Sequence, residues 1–114
     1  MSVAILQQGI GPIPGDHYLP TTPDTMLWGR LPCAADAAVL TIDGGESVTF
    51  DTISHEGLLP DQGSDPLAYF ASHGVPAADV LTDAIAVVKG VERNPETDGP
   101  HVMTGPVHIR GAEP

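Results

Sequence analysis

The number of glycine and proline residues is the strongest constraint on what this chain can fold into. There are 13 glycines and 12 prolines among 114 residues, close to twice the combined share of about 12% that is usual in globular proteins. Proline breaks helix interiors and glycine weakens helices and strands alike, so long regular elements are excluded. Aromatic residues make up only 4% of the chain, which leaves few large side chains to anchor a core. We therefore expect a mainly β fold with one or two short helices, that is, a β-rich α+β protein.

Residues 1–32 are the part of the chain most interrupted by turn-forming residues. Glycine or proline recurs there at intervals too short for a regular element, apart from a short apolar piece at Val3–Leu6. This spacing predicts an extended arm over residues 1–32 that wraps over the remainder of the chain. Trp28, the only tryptophan, is expected to anchor the arm on a core.

Residues 36–114 are expected to hold a β-hairpin, a polar loop, helices and a final strand. Ala38–Ile42 is a short apolar run and Glu46–Ile53 alternates between apolar and polar residues. The turn sequence Asp43-Gly44-Gly45 joins them and predicts that they pair as a hairpin. We expect helix 77–88 to cover part of the apolar face of this hairpin, which comprises Leu40, Val48 and Phe50.

Two short helices and one strand are predicted after the hairpin. Asp65 and Pro66 have the residue types of an N-cap and a first helical position, which predicts a helix over Leu67–Ser72 closed by Gly74. Apolar residues recur at helical spacing over Ala77–Val88, with Asp79, Thr82 and Asp83 on the polar side. The last strand is expected within His101–Arg110.

The charge balance restricts the classes of partner. The formal net charge is −11, which disfavours binding to nucleic acid or to anionic lipid because both require clustered cations. The single cysteine, Cys33, cannot form an internal disulfide and is expected to be a buried, inert thiol. With no signal-peptide pattern and no apolar stretch of membrane-spanning length, the expected location is the cytoplasm.

Chemically reactive residues concentrate in the predicted loop between Asp51 and Asp65. Glu56 is suited to act as a general base, and His55 and Asp61 are suited to orient it or to bind a divalent metal. The alternative is that these side chains only make turn and capping hydrogen bonds. Neighbouring residues on a strand point to opposite faces, so His55 and Glu56 share a site only if the backbone has already left the strand. His101, after Gly99-Pro100, is a further candidate that could project into the same cleft.

Four segments resemble one known family. His17–Gly29 is similar to the arm of bacterial acetamidase/formamidase proteins, and Val39–Gly57 is similar to their first hairpin and the polar loop after it. Asp61–Pro66 and Gly99–Pro106 resemble two further signatures of the family, in the same order along the chain. The resemblance implies a β-rich hydrolase of carbon–nitrogen bonds in short linear amides such as formamide and acetamide.

The same resemblance implies roles for individual residues and for partners. The catalytic candidates are Glu56, His55 and Asp61, with Gln62 and His101 as substrate-binding residues. A divalent metal such as zinc is a further implied cofactor, with His55 and Asp61 as its ligands. The full enzyme is expected to be a homo-oligomer.

Length is the one departure from the family pattern. Family members continue well beyond the point that matches the last residues here, so the chain is expected to be the N-terminal portion of a larger β-rich amidase domain. Amide hydrolysis would then need additional C-terminal sequence or a partner subunit. The alternative from the same residues is a non-enzymatic acidic β module or structural subunit derived from an amidase.

Overall fold

A computed structural model describes residues 5–113 and shows a small mixed α+β fold rich in short strands. The strands are never longer than four residues, as the density of glycine and proline predicts. Single 3-10 turns at Pro60–Gln62 and Ala77–Asp79 precede the two helices. In chain order the regular elements are β1 (His17–Pro20), β2 (Met26–Trp28), β3 (Leu40–Ile42), β4 (Val48–Asp51), α1 (Pro66–Ala71), α2 (Thr82–Gly90), β5 (Val102–Thr104) and β6 (Val107–Ile109).

The described strands form three separate two-stranded sheets. Strands β1 and β4 pair in parallel, β2 and β5 pair antiparallel, and β3 and β6 pair in parallel. The predicted hairpin is therefore wrong, because β3 and β4 each pair with a strand that is distant in sequence. Its turn does form, with the Glu46 N–H donating to the Asp43 carbonyl at 3.2 Å, but the two strands then diverge to these other partners.

The prediction that residues 1–32 lack regular structure is also wrong. Strands β1 and β2 lie inside this segment, and Leu19, Met26 and Trp28 are buried. Glycine and proline fall mainly between or at the ends of the strands, so they limit the length of the strands but do not prevent them from forming. Val3 and Ala4 of the apolar piece at Val3–Leu6 lie outside the described residues, and Ile5 and Leu6 are exposed. The anchoring role predicted for Trp28 is confirmed, since its indole joins the core and donates to the Pro100 carbonyl at 2.9 Å.

Helix α1 follows its sequence signals closely. Asp65 caps it by accepting from the Ala68 N–H at 3.2 Å, and Pro66 occupies the first turn. Helix α2, in contrast, begins at Thr82 and not at Ala77, because Val80 and Leu81 are extended.

A distant glutamine replaces the missing local cap of α2. The Gln7 side chain accepts from the Thr82 N–H at 2.9 Å and donates to the Val80 carbonyl at 2.9 Å. These bonds satisfy backbone groups that the break in the helix would otherwise leave without partners.

The core lies where α2 meets β2 and the loop that follows β4. Its buried members are Met26, Trp28, Ile53, Leu58, Ala84 and Val87. The expected cover of a hairpin face by helix 77–88 is therefore wrong. Strands β3 and β4 do not share a sheet, so no common apolar face exists, and Phe50 is 44% exposed.

The loop between β2 and β3 leaves its thiol at the surface. Cys33 is exposed, which corrects the expectation of a buried thiol. Asp36 accepts from the Cys33 N–H at 2.8 Å and from Arg30 at 2.7 and 2.8 Å. This cap and ion pair hold residues 30–36 in a surface turn that leaves the sulfur exposed. Within residues 5–113, no helix is long and apolar enough to cross a lipid bilayer.

The molecule is flat and expanded for its length. Its radius of gyration is 15.6 Å and its extents are 48 × 38 × 18 Å, whereas a compact domain of this length has a radius of about 13 Å. The accessible surface is 7259 Å², roughly 1,300 Å² more than the value expected for a compact protein of this mass. The excess is as large as one side of a stable protein–protein interface, about 800 Å².

Asp83 is an unexpected member of the buried set. The helical pattern places it on the polar side of α2, yet it is only 5% exposed and accepts from the Ala84 N–H at 3.0 Å. Burial is the main reason that the pKa of Asp83 is raised, and the nearby Asp51 charge adds to the shift. The folded chain therefore holds this proton more tightly than the unfolded chain does.

We expect Asp83→Asn to raise the free energy of unfolding at neutral pH by roughly 1 kcal/mol. An acid whose pKa is raised by folding stabilises the fold below its unfolded pKa and loses that contribution as pH rises through the raised value. Asparagine keeps the acceptor for Ala84 without the charge. Urea unfolding at several pH values measures the effect, and Asp79→Asn on the exposed 3-10 turn is the matched control. A loss of stability at neutral pH would contradict the prediction.

Candidate functional site

The loop after β4 folds back on itself within a few residues. Strand β4 ends at Asp51, and the Leu58 N–H then donates to the His55 carbonyl at 3.0 Å to close a turn. Gly57 has φ 82°, a left-handed conformation that glycine adopts without a steric penalty. The backbone has therefore left the strand before His55, which is the condition for His55 and Glu56 to share a site.

Glu56 is held by one of its two carboxylate oxygens. Its Oε2 accepts from the Tyr69 hydroxyl at 2.7 Å and from Gln62 Nε2 at 3.1 Å. No described residue donates to Oε1. The bond from Tyr69 is the main reason that the pKa of Glu56 is lowered, and the same bond raises the pKa of Tyr69. Glu56 is thus an ionised, oriented carboxylate with one oxygen available to a ligand.

Gln62 completes this arrangement from within the loop. Its Oε1 accepts from the Gly57 N–H at 2.8 Å while its Nε2 donates to Glu56. Both ends of the amide are therefore engaged by the loop. These contacts orient Gln62 toward Glu56, and the substrate contact expected of Gln62 stays a prediction.

Close packing behind Gly57 fixes the position of the tyrosine. A Cβ added to Gly57 would lie 2.9 Å from Tyr69 Cδ1 and 3.0 Å from Phe70 Cε2, closer than side-chain atoms approach. His73 packs on the other side of Tyr69, with ring centroids 5.0 Å apart. The phenol therefore reaches Glu56 from a constrained position on α1.

His55, which precedes Glu56 in the chain, forms a separate pair with His101. Their ring centroids are 5.2 Å apart and their planes are inclined by 56°. Nδ1 of His55 is buried and has no hydrogen-bond partner among residues 5–113. His101 is held in place by its backbone, whose carbonyl accepts from the Gly29 N–H at 2.8 Å. The fold thus brings together the two histidines that the sequence singled out.

Asp61 is the candidate residue with the fewest contacts. It lies on the exposed 3-10 turn Pro60–Gln62, and its carboxylate makes no hydrogen bond with the described part of the chain. Nor do residues 5–113 contain any group of three or more histidine, cysteine, aspartate or glutamate side chains that could hold a metal ion. The divalent metal expected at His55 and Asp61 therefore stays a prediction, and we assign no catalytic step to a metal.

A small cleft lies next to Glu56. It has a volume of about 240 Å³, and its walls are mostly apolar. Glu56 and Ser54 from the loop and Asp79 from the 3-10 turn are the polar residues in its lining. The apolar lining comes mainly from Ile53, Phe70, Val75, Val80, Leu81 and Ala84. The arrangement places a charged acceptor beside a space that suits a small, partly apolar ligand.

Sequence reasoning missed Tyr69 and Ser54. A signal for Tyr69 was present, because Asp65 and Pro66 fix the start of α1 and therefore place residue 69 one turn into the helix. That turn lies next to the loop. Ser54, whose Oγ accepts from the Glu56 N–H at 3.1 Å, has no comparable sequence signal.

We expect Tyr69→Phe to raise the pKa of Glu56 toward its ordinary value, because the change removes the strongest cause of the lowered pKa. The stabilisation that this carboxylate gives is present above the unfolded pKa and is lost as pH falls through the folded value. In Tyr69→Phe the free energy of unfolding should therefore fall less steeply as the pH is lowered. Carboxyl ¹³C titration by NMR measures the shift directly.

Tyr18→Phe is the matched control for this change. The Tyr18 hydroxyl donates to Asp51 Oδ2 at 2.5 Å, so its removal should affect the titration of Asp51 and leave that of Glu56 unchanged. An unaltered Glu56 titration in Tyr69→Phe would show that the hydrogen bond to Tyr69 is not formed in solution.

Fold and site together define a small β-rich chain that carries an oriented carboxylate at the edge of an apolar cleft. Comparisons with protein-family models, with curated proteins and with solved structures found no match to this chain. The likeness to acetamidase/formamidase proteins therefore rests on the four sequence segments alone.

Proposed function

We propose that this chain supplies one wall of an active site that hydrolyses short linear amides, with Glu56 as the general base. The observation that carries the proposal is the asymmetric bonding of the Glu56 carboxylate. Two donors hold Oε2, while Oε1 accepts nothing from the described residues. Glu56 is ionised at neutral pH, and because its lowered pKa makes it a weaker base than an ordinary glutamate, the support for this role is the fixed orientation of the carboxylate and its free oxygen.

The reaction assigned to this geometry is the hydrolysis of an amide to a carboxylate and ammonia. Glu56 takes a proton from a water molecule as the water oxygen adds to the carbonyl carbon. The tetrahedral intermediate then collapses with cleavage of the carbon–nitrogen bond, and the nitrogen leaves with the transferred proton. His55, which precedes Glu56 in the chain, is suited to hydrogen-bond the substrate or the leaving nitrogen, and His101, whose ring centroid is 5.2 Å from that of His55, is proposed to assist from the neighbouring groove. Asp61 adds negative charge near Tyr69.

The proposal includes a second wall that comes from other polypeptide. Donors for the developing oxyanion are needed in any amide hydrolysis, and the cleft beside Glu56 offers mainly apolar surface for that purpose. The flat shape and the excess accessible surface support further contacts of roughly interface size. We assign this wall to additional C-terminal sequence of the same protein or to a partner subunit, in a larger β-rich amidase fold that assembles as a homo-oligomer.

One observation favours a second candidate function. The bonds to Glu56 Oε2 also fasten the loop to α1, so the same residues would serve a non-enzymatic acidic β module or structural subunit. In that case Glu56 contributes to local stability and no amide is turned over.

Ammonia release separates the two candidates. The chain, expressed within its complete reading frame, should release ammonia from formamide or acetamide at a rate proportional to protein concentration. The metal content of the same preparation, measured alongside, shows whether activity follows a bound ion. A folded, pure preparation that releases no ammonia from any small amide would overturn the hydrolase proposal and leave the structural module.

A further inference from the structure

The size of the cleft beside Glu56 restricts the length of its ligand. At roughly 30 Å³ for each water-sized group, the volume of about 240 Å³ holds about eight non-hydrogen atoms. Acetamide fills only about half of this space. The remaining wall is apolar and is formed mainly by buried or half-buried residues, among them Ile53, Leu81 and Ala84, together with the exposed Ile5.

The polar groups of the cleft restrict the chemical class of the ligand's polar head group. Glu56 offers an oxygen that accepts no hydrogen bond from the described chain, and Asp79 is a second acidic residue in the lining of the cleft. A donor of N–H bonds complements these groups, whereas a carboxylate would face two like charges within a chain whose net charge is −11. The contacts therefore favour a neutral amide or an ammonium group over an acid.

We infer that the cleft binds an unbranched aliphatic primary amide or amine of about six carbons, with its nitrogen donating to Glu56 Oε1 and its chain against the apolar wall. The inference rests on the proposed function for its catalytic meaning, since it extends the substrate class from acetamide to longer aliphatic amides. Binding itself does not depend on turnover.

A second groove on the same molecule provides an internal control. It has a volume of about 210 Å³ and is lined by Leu31, Met103, His101 and their neighbours, with no carboxylate in its lining. A ligand chosen only for apolar surface would enter both grooves. A ligand recognised by its N–H head should select the cleft beside Glu56.

Titration of the full chain with four small probes tests the inference. Hexanamide and hexylamine should each shift the backbone amide NMR signals of Ile53, Phe70 and Leu81. Acetamide should bind about 10–100-fold more weakly because it leaves most of the apolar wall uncovered. Hexanoate should bind at least about tenfold more weakly than hexanamide because its charge is repelled. The ratio of hexylamine to hexanamide affinity tells which head is preferred.

Two variants test which of the two grooves binds the ligand. Val75→Phe narrows the mouth of the cleft and should weaken hexanamide at least about tenfold, while Leu31→Phe at the second groove should not. If Val75→Phe fails to fold, the shift map of the unmodified chain decides the location. Shifts confined to Leu31 and Met103, equal binding of hexanoate, or no binding of any probe would each overturn the inference.

The failure of this inference can be told apart from the failure of the proposed function. Hexanamide binding in the cleft without ammonia release would support the binding site and contradict the proposed hydrolase activity. Turnover of acetamide with no preference for longer amides would support the hydrolase activity and contradict the inference of a six-carbon ligand.

Discussion

Glu56→Gln is expected to lower kcat for amide hydrolysis by about 10²–10⁴-fold, the contribution typical of a positioned general base. Glutamine has nearly the same shape, so the loop and its contacts with Tyr69 and Gln62 should be largely retained while the basic oxygen is lost. KM should change little. In the unmodified enzyme, the acid side of the pH profile should lie below the ordinary value of 4.5, since the pKa of Glu56 is lowered.

Ammonia release at saturating amide measures this effect. Glu92→Gln is the matched control, because Glu92 is exposed and lies outside the polar loop. Circular dichroism and urea unfolding of both variants establish that the fold is intact. If the activity of Glu56→Gln stayed within about threefold of that of the unmodified enzyme, Glu56 would not be the general base, since a base contributes far more than this. That result would support the structural module.

Leu58→Ala is expected to lower the free energy of unfolding by about 2–5 kcal/mol, the range for removing a buried leucine side chain. Leu58 is 1% exposed and packs in the same cluster as Trp28 and Val87. Since small domains have total stabilities of about 5–15 kcal/mol, this is a large share of the whole. The loss should also loosen the loop that carries Glu56, because Leu58 is its anchor in the core.

Trp28 is a convenient reporter for this experiment, as the only tryptophan and a member of the same cluster. Urea unfolding followed by its fluorescence gives the midpoint for each variant. Leu67→Ala is the control, because Leu67 is 39% exposed on α1 and its loss should change stability by about 0.5 kcal/mol or less. A similar midpoint for both variants would show that Leu58 is not buried in solution.

Local signals in the sequence were sufficient for the parts of the fold that depend on neighbouring residues. Asp65 and Pro66 define the start of α1 through a cap and a fixed backbone angle, both of which act within one helical turn. The glycine turn after Asp43 also forms as expected. Strand pairing was not predictable in the same way, because β4 and β3 pair with strands that lie far along the chain.

In the candidate site too, local features were predictable from the sequence and long-range contacts were not. The concentration of His55, Glu56 and Gln62 in one loop was visible in the sequence, and in the structure Gln62 reaches back from the following 3-10 turn to donate to Glu56. Tyr69 was missed because its role depends on α1 packing against Gly57. The proximity of His55 to His101 was only a possibility in the sequence, since it depends on how distant segments pack.

The cap that Gln7 provides to α2 links the start of the chain to the cleft. Leu81 and Ala84 line that cleft and lie at the beginning of the helix, where Gln7 satisfies the Thr82 N–H and the Val80 carbonyl. Any fusion partner or trimming that displaces residue 7 would release the first turn of α2 and enlarge the mouth of the cleft. We therefore expect displacement of Gln7 to weaken the proposed binding of an amide in this cleft, to which Ile5 of the same segment also contributes.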